Sequence, residues 1–183
     1  MRLHWSRGYL FVELLNSRHL REQFNCPGVY VHIDHRRGRA AYVGKASGAP
    51  DLWLRQYTHY VNYIGGLYLI PNLGEESNGY VWEPGPDKVK TVFNRDQFHK
   101  TVDLAFDYVP RVEIHLCPLE NANAAKLIER ELLWALDPLD TTRGTKTPPK
   151  DTHEFVHYCG EFPELQSLFV RPRPNNSLQG RRP

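Results

Sequence analysis

Two glutamates fall where a helix would place only apolar side chains. Projected at about 100° per residue, the stretch 123–136 puts Glu129 and Glu131 inside an arc formed by Ala125, Ile128, Leu132, Leu133 and Leu136. A carboxylate at such a position needs a partner, because burying an unpaired charge is costly. The pattern therefore calls for an Arg or Lys, or for a bound divalent ion. Upstream lie Tyr30, Tyr42, Lys45, Arg55 and His59, the last two four residues apart and so on one face of a helix. A phenol or imidazole to activate water, an arginine to meet developing charge and a carboxylate to hold a metal are what phosphodiester hydrolysis requires. Each has a plainer role when taken alone, since tyrosines pack on sheets and cations sit in solvent. Their joint occurrence shifts the balance toward a site.

A second motif competes. HEFVH at 153–157 matches the pattern in which His153 and His157 hold zinc from one helical face and Glu154 acts as base. Gly160 extends the match, but Pro163 stands where a third His would be needed. After Glu164 no acidic residue remains to serve as third ligand, and Pro148, Pro149 and Gly160 confine any helix to barely two turns. Chance occurrence is the favoured account. A zinc-binding protein or metallopeptidase is the alternative, and a zinc at this place would more naturally tie the C-terminal segment to the core.

The elements that must position these residues follow from local pattern. GVYVHID at 28–34 and AAYVGK at 40–45 are rich in β-branched and aromatic residues and form two strands. The HRRGR between them, with Gly38 able to take positive φ, makes an antiparallel hairpin with a basic turn. Pro27 stops any helix arriving from the N-terminal side. Asp51 caps a helix through LWLRQYTHYVN, in which Leu54, Thr58 and Val61 share one face and Arg55 and His59 another. Residues 65–90, with their Gly and Pro, suggest a long excursion rather than regular structure. RDQFHKTVDLAF gives a short helix and RVEIHLC, at 111–117, a third strand. The helix at 123–136 is the clearest in the chain, and Pro138 follows it.

The fold class is α+β: a small three-stranded antiparallel sheet flanked by helices. An N-terminal extension over residues 1–26, a core over 27–142 with an insertion at about 65–95, and a C-terminal extension over 143–183 with a loose basic Pro-rich tail complete the organisation. The 183 residues suffice for one buried core, and 40% apolar with 24% charged residues excludes a disordered chain. A formal charge of +2 gives little global attraction to a polyanion, so a nucleic-acid site would have to be local. Cys26, Cys117 and Cys159 suggest neither a disulfide framework nor a cysteine zinc cluster, and a reducing compartment fits. No apolar run approaches the roughly 20 residues of a membrane span, and the first residues show no cleavage-site pattern; a cytoplasmic protein is expected.

In order and spacing these residues resemble the GIY-YIG nuclease superfamily. PGVY at 27–30 and YVGKA at 42–46 match the two halves of its signature with Val for Ile, and Arg55 and His59 fall where the family places an Arg and, a turn later, a His or Tyr. LIERELLWALDP puts Glu129 nine residues before Pro138, as the family does for its metal-binding Glu. Where family members carry an Asn about three residues after that Pro, this chain has Thr141, a weaker substrate contact. The resemblance spans residues 25–142 and implies an endonuclease acting on DNA, with one Mg²⁺ or Mn²⁺ held by Glu129 and waters. It further implies that Tyr42 or Tyr30 deprotonates the attacking water, with Lys45 and Arg55 acidifying the phenol. Arg55 would also meet the phosphorane, and His59 would orient Tyr42 or relay its proton. Arg36, Arg37 and Arg39 in the hairpin turn, with Arg143 and Lys146, could follow phosphates. A homodimer would serve if both strands of a duplex are cut. An inactive nucleic-acid-binding module is a further alternative, against which the retention of both Tyr, the Arg and the Glu weighs.

Overall fold

The structure, a computed structural model, describes residues 1–34, 36, 38–73, 80–84, 95–139 and 155–159. Its centre is a three-stranded antiparallel sheet of β2 (Gly28–Asp34), β3 (Arg39–Ala46) and β6 (Val112–Pro118), in the order β3-β2-β6. The remaining strands pair outside it: β1 (Arg2–His4) parallel to β7 (Val156–Tyr158), and β4 (Ile70–Pro71) antiparallel to β5 (Tyr80–Trp82). Five helices complete the described fold: α1 (Phe11–Asn16), α2 (Arg18–Gln23), α3 (Leu52–Ile64), α4 (Arg95–Tyr108) and α5 (Ala122–Leu136). No described helix is long and apolar enough to cross a membrane.

All seven residues of β2 are buried, which is what a central strand covered on both faces requires. The pleat divides them. Val29, Val31 and Ile33 join Val43 and the α5 residues Ala125, Ile128 and Leu132 in one apolar cluster. Tyr30 and His32 turn to the opposite face, where Phe11, Leu14, Leu52, Tyr63, Ile114 and Leu116 form the other. The N-terminal segment is part of both clusters, since Leu3 and Trp5 belong to the first and Phe11 and Leu14 to the second. A fully buried Ile128 truncated to Ala would cost about 2–5 kcal/mol, so α5 is held chiefly by this packing.

The strands and helices expected from pattern stand close to their expected bounds. Asp51 caps α3 by accepting from the Leu54 N–H at 2.7 Å, and Asn121 caps α5 by accepting from Ala124 N–H at 2.9 Å. α5 stops at Asp137, which takes a left-handed φ of 42° just before Pro138. One expectation is corrected: the excursion after residue 65 is not wholly irregular, because Ile70 and Tyr80 to Trp82 carry enough β-forming side chains for a short pair. On α3, Leu54 and Val61 share the face turned to solvent, at 41% and 44% exposure. The side toward the sheet is held by Leu52, Gln56, His59 and Tyr63, two of them polar groups that bond across to β2.

His32 has its pKa lowered to about 4, first by burial and against the hydrogen bond it donates to Gln56. The unfolded chain therefore takes up this proton near pH 6.5 while the folded one resists it to about 4. Stability is expected to be full above pH 6.5 and to fall as pH drops toward 4, by an amount on the order of 3 kcal/mol from this residue. Urea denaturation at several pH values in that window checks this, with a shallower slope expected for His32→Phe.

Candidate functional site

β3 carries Tyr42 and Lys45 three residues apart, so the two side chains leave opposite faces of the sheet. Tyr42 lies on the α3 side and Lys45 on the α5 side. The arrangement brings them back together around the edge of β3, which has a sheet neighbour on one side only among the described residues. There a cavity of about 180 Å³ is lined by Tyr42 and Lys45, by Arg55 from α3 and by Glu129 from α5. Ser47 and Pro50, in the loop leading to α3, also line it.

On the α5 side, Lys45 Nζ donates to Glu129 Oε2 in a close ion pair. The two side chains are 29% and 15% exposed, so the carboxylate is mostly withdrawn from water and has the cationic partner its place in the apolar arc demanded. Glu131 does not line the cavity, and its Oε1 is buried without a hydrogen-bond partner among the described residues.

On the α3 side Tyr30 is fully buried. Its hydroxyl lies 2.6 Å from His59 Nε2 and accepts from Arg55 Nε at 3.4 Å. The phenol is raised well above its ordinary pKa, chiefly by burial and then by Tyr42, against the opposing pull of Arg55. It therefore stays protonated and can donate to His59 Nε2. Tyr42 lies beside it with ring centroids 6.0 Å apart, and its ring meets that of His59 edge-on at 4.9 Å. Of the two tyrosines, Tyr42 is the one that lines the cavity.

Gly44 explains how this packing fits. It stands opposite Tyr30 in the β2–β3 ladder, and a Cβ there would lie 2.4 Å from the Tyr30 hydroxyl and 2.5 Å from its Cζ. The glycine of the YVG triplet is thus the space into which the Tyr30 ring is laid.

The structure thus gathers Tyr42, Lys45, Arg55 and Glu129 around one cavity and places Tyr30 and His59 directly behind it. Arg36 lies in the hairpin turn and is exposed, with its backbone N–H bonded to Asp34 Oδ1 at 3.1 Å; neither it nor Arg39 lines the cavity. Arg37, Thr141, Arg143, Lys146, His153 and Glu154 lie outside the described residues. His157 belongs to strand β7 rather than a helix, and its Nδ1 accepts from Trp5 Nε1 at 3.1 Å. Its backbone does not have the helical geometry that the HEFVH zinc pattern uses, and one ring nitrogen is committed to Trp5. Pattern alone missed His32 and Gln56, which join the buried side of this assembly. The signal available for His32 was its alternation with Tyr30, two residues earlier on the same strand.

Among the described residues no group of three or more His, Cys, Asp or Glu side chains could hold a metal ion. One carboxylate in a polar cavity suits a different kind of ion. A small hard cation such as Mg²⁺ keeps several waters and needs only one or two protein carboxylates when phosphate oxygens supply the rest. The donor set fits Mg²⁺ or Mn²⁺ bound in that way at Glu129, which gives Oε2 to Lys45.

No family profile, curated protein or solved structure matches the chain.

A methyl group at Gly44 should push the Tyr30 ring out of its place. Gly44→Ala is expected to lower stability by about 1–3 kcal/mol, as overpacking does, and to change the near-ultraviolet circular dichroism of the tyrosine cluster. A variant with unaltered melting and spectrum would contradict this packing.

Proposed function

We propose that this protein is a metal-dependent endonuclease of the GIY-YIG type, hydrolysing phosphodiester bonds of DNA. The observation that supports it most is that Tyr42 and Lys45 from β3, Arg55 from α3 and Glu129 from the distant α5 line a single cavity. The order of motifs along the chain, from PGVY and YVGKA through Arg55 and His59 to Glu129, supports the same reading.

The roles follow from exposure and bonding. Tyr42 faces the cavity and, as its phenolate, would take the proton of the attacking water, while another water would protonate the leaving oxygen. Tyr30, buried and held protonated, is instead a support: its hydroxyl fixes His59 on one side and the Arg55 guanidinium on the other. Arg55 presents cationic N–H groups to phosphate oxygens and stabilises the charge that develops on them. Glu129 is the residue that would hold a divalent ion, together with water. That ion, when bound, supplies Lewis-acid polarisation of the scissile phosphate. Lys45 pairs with the Glu129 carboxylate and adds positive charge to the cavity that Tyr42 lines. Magnesium or manganese is the cofactor on this reading, and DNA the partner; a homodimer would cut both strands.

With plasmid DNA and Mg²⁺ or Mn²⁺, the wild-type chain is expected to nick or linearise the substrate. Tyr42→Phe, Arg55→Ala and Glu129→Ala should each lower the rate by roughly 100-fold or more, the range for loss of a general base or a charge-stabilising group. Glu154→Ala should leave cleavage unchanged. Casein hydrolysis lost only in Glu154→Ala, with no DNA cleavage by any form, would replace this reading with the zinc peptidase.

A further inference from the structure

Behind the cavity lies a second polar pair that the proposed chemistry does not use. His32 and Gln56 are both completely buried, and His32 Nε2 is 2.8 Å from Gln56 Oε1. A carbonyl oxygen only accepts, so the Nε2–H of the imidazole is the donor and Nδ1 carries the lone pair. Neither His32 Nδ1 nor Gln56 Nε2 has a hydrogen-bond partner among the described residues. Burial keeps the ring neutral, with its pKa near 4.

Such a pair is a poor way to stabilise a core. Two buried polar groups left unmet cost more than an apolar pair of the same shape would. What a hydrogen bond adds, and apolar contact does not, is a fixed direction.

The neighbours of the pair show what that direction governs. Gln56 follows Arg55 on α3, and His32 stands opposite Tyr42 in the β2–β3 ladder. The His32 ring centroid lies 5.5 Å from that of Tyr30, 5.5 Å from that of Tyr42 and 5.2 Å from that of His59. Every pair among these four rings is in contact, the widest being Tyr30 with Tyr42 at 6.0 Å. Phe11 closes the far side of His32, edge to face at 5.4 Å.

We propose that His32 and Gln56 are positioning residues: their hydrogen bond sets the rotation of α3 against the sheet, so that Arg55 meets Tyr42 at the cavity and His59 meets the Tyr30 hydroxyl. The activity half of this inference rests on the hydrolytic reading of the same cavity; the geometric half does not.

The test compares wild type with Gln56→Met and with His32→Phe/Gln56→Met. The double variant removes both polar groups, so it should melt at or above the wild-type temperature. Its kcat on a DNA oligonucleotide should nevertheless fall about 10- to 100-fold, as for a misplaced catalytic group, with KM unchanged. The side-chain ¹⁵N spectrum of His59, which needs no substrate, should show the Nε2 signal moved by loss of the Tyr30 bond. A stable double variant with wild-type kcat and an unmoved His59 signal overturns the proposal. Where the wild-type chain cleaves nothing, the hydrolytic reading fails and the His59 spectrum alone decides the positioning role. If the double variant does not fold, Gln56→Met and Gln56→Glu replace it, because the carboxylate can still accept from His32 Nε2–H. The Met form should shift the His59 signal and the Glu form should not; identical spectra overturn the proposal.

Discussion

Alternation along a strand forbids Tyr42 and Lys45 from sharing a face of the sheet, and the whole site is arranged around that prohibition. A cluster needing both can form only where the sheet ends. Among the described residues β3 provides such an end: α3 covers the Tyr42 side, α5 the Lys45 side, and the cavity is lined from both.

The two sides of that edge are built differently. On the α5 side the supporting material is largely apolar, and the Glu129 carboxylate beside it is paired with Lys45. On the α3 side the support is a set of aromatic and imidazole rings joined by hydrogen bonds from β2 to the helix. The first arrangement fixes where a carboxylate sits. The second fixes where an arginine and a phenol point, and a planar guanidinium is useful only when its orientation is set. Gly44 makes the second arrangement possible by leaving room for a ring where any side chain would collide.

The central elements were legible because each has a strong local cause. β-branched runs make β2, β3 and β6, capping residues open α3 and α5, and Pro138 follows the end of the last helix. Arg55, His59 and Glu129 were legible because their spacing puts them on definable helix faces. What the sequence left open was set by contacts between distant segments. The two ways of meeting the Glu129 charge could not be separated by pattern; Lys45 takes one carboxylate oxygen, 84 positions earlier in the chain. On α3, which residues of the helix meet the sheet was left open by pattern: the buried side holds Gln56 and His59, because β2 offers them His32 and Tyr30 as partners. The parallel pairing of β1 with β7 joins the two ends of the described chain, and three-residue strands leave too short a pattern to announce it.

On the proposed reading, a single phosphate would sit between the guanidinium of Arg55 and a divalent ion at the Glu129 carboxylate, within reach of residue 42. A crystal structure of the Tyr42→Phe protein with a DNA duplex and Mn²⁺ tests it most directly. The account predicts a backbone phosphate in the cavity at the β3 edge, bonded to Arg55, with manganese density at Glu129. A duplex seated elsewhere, with that cavity free of both phosphate and metal, would contradict it.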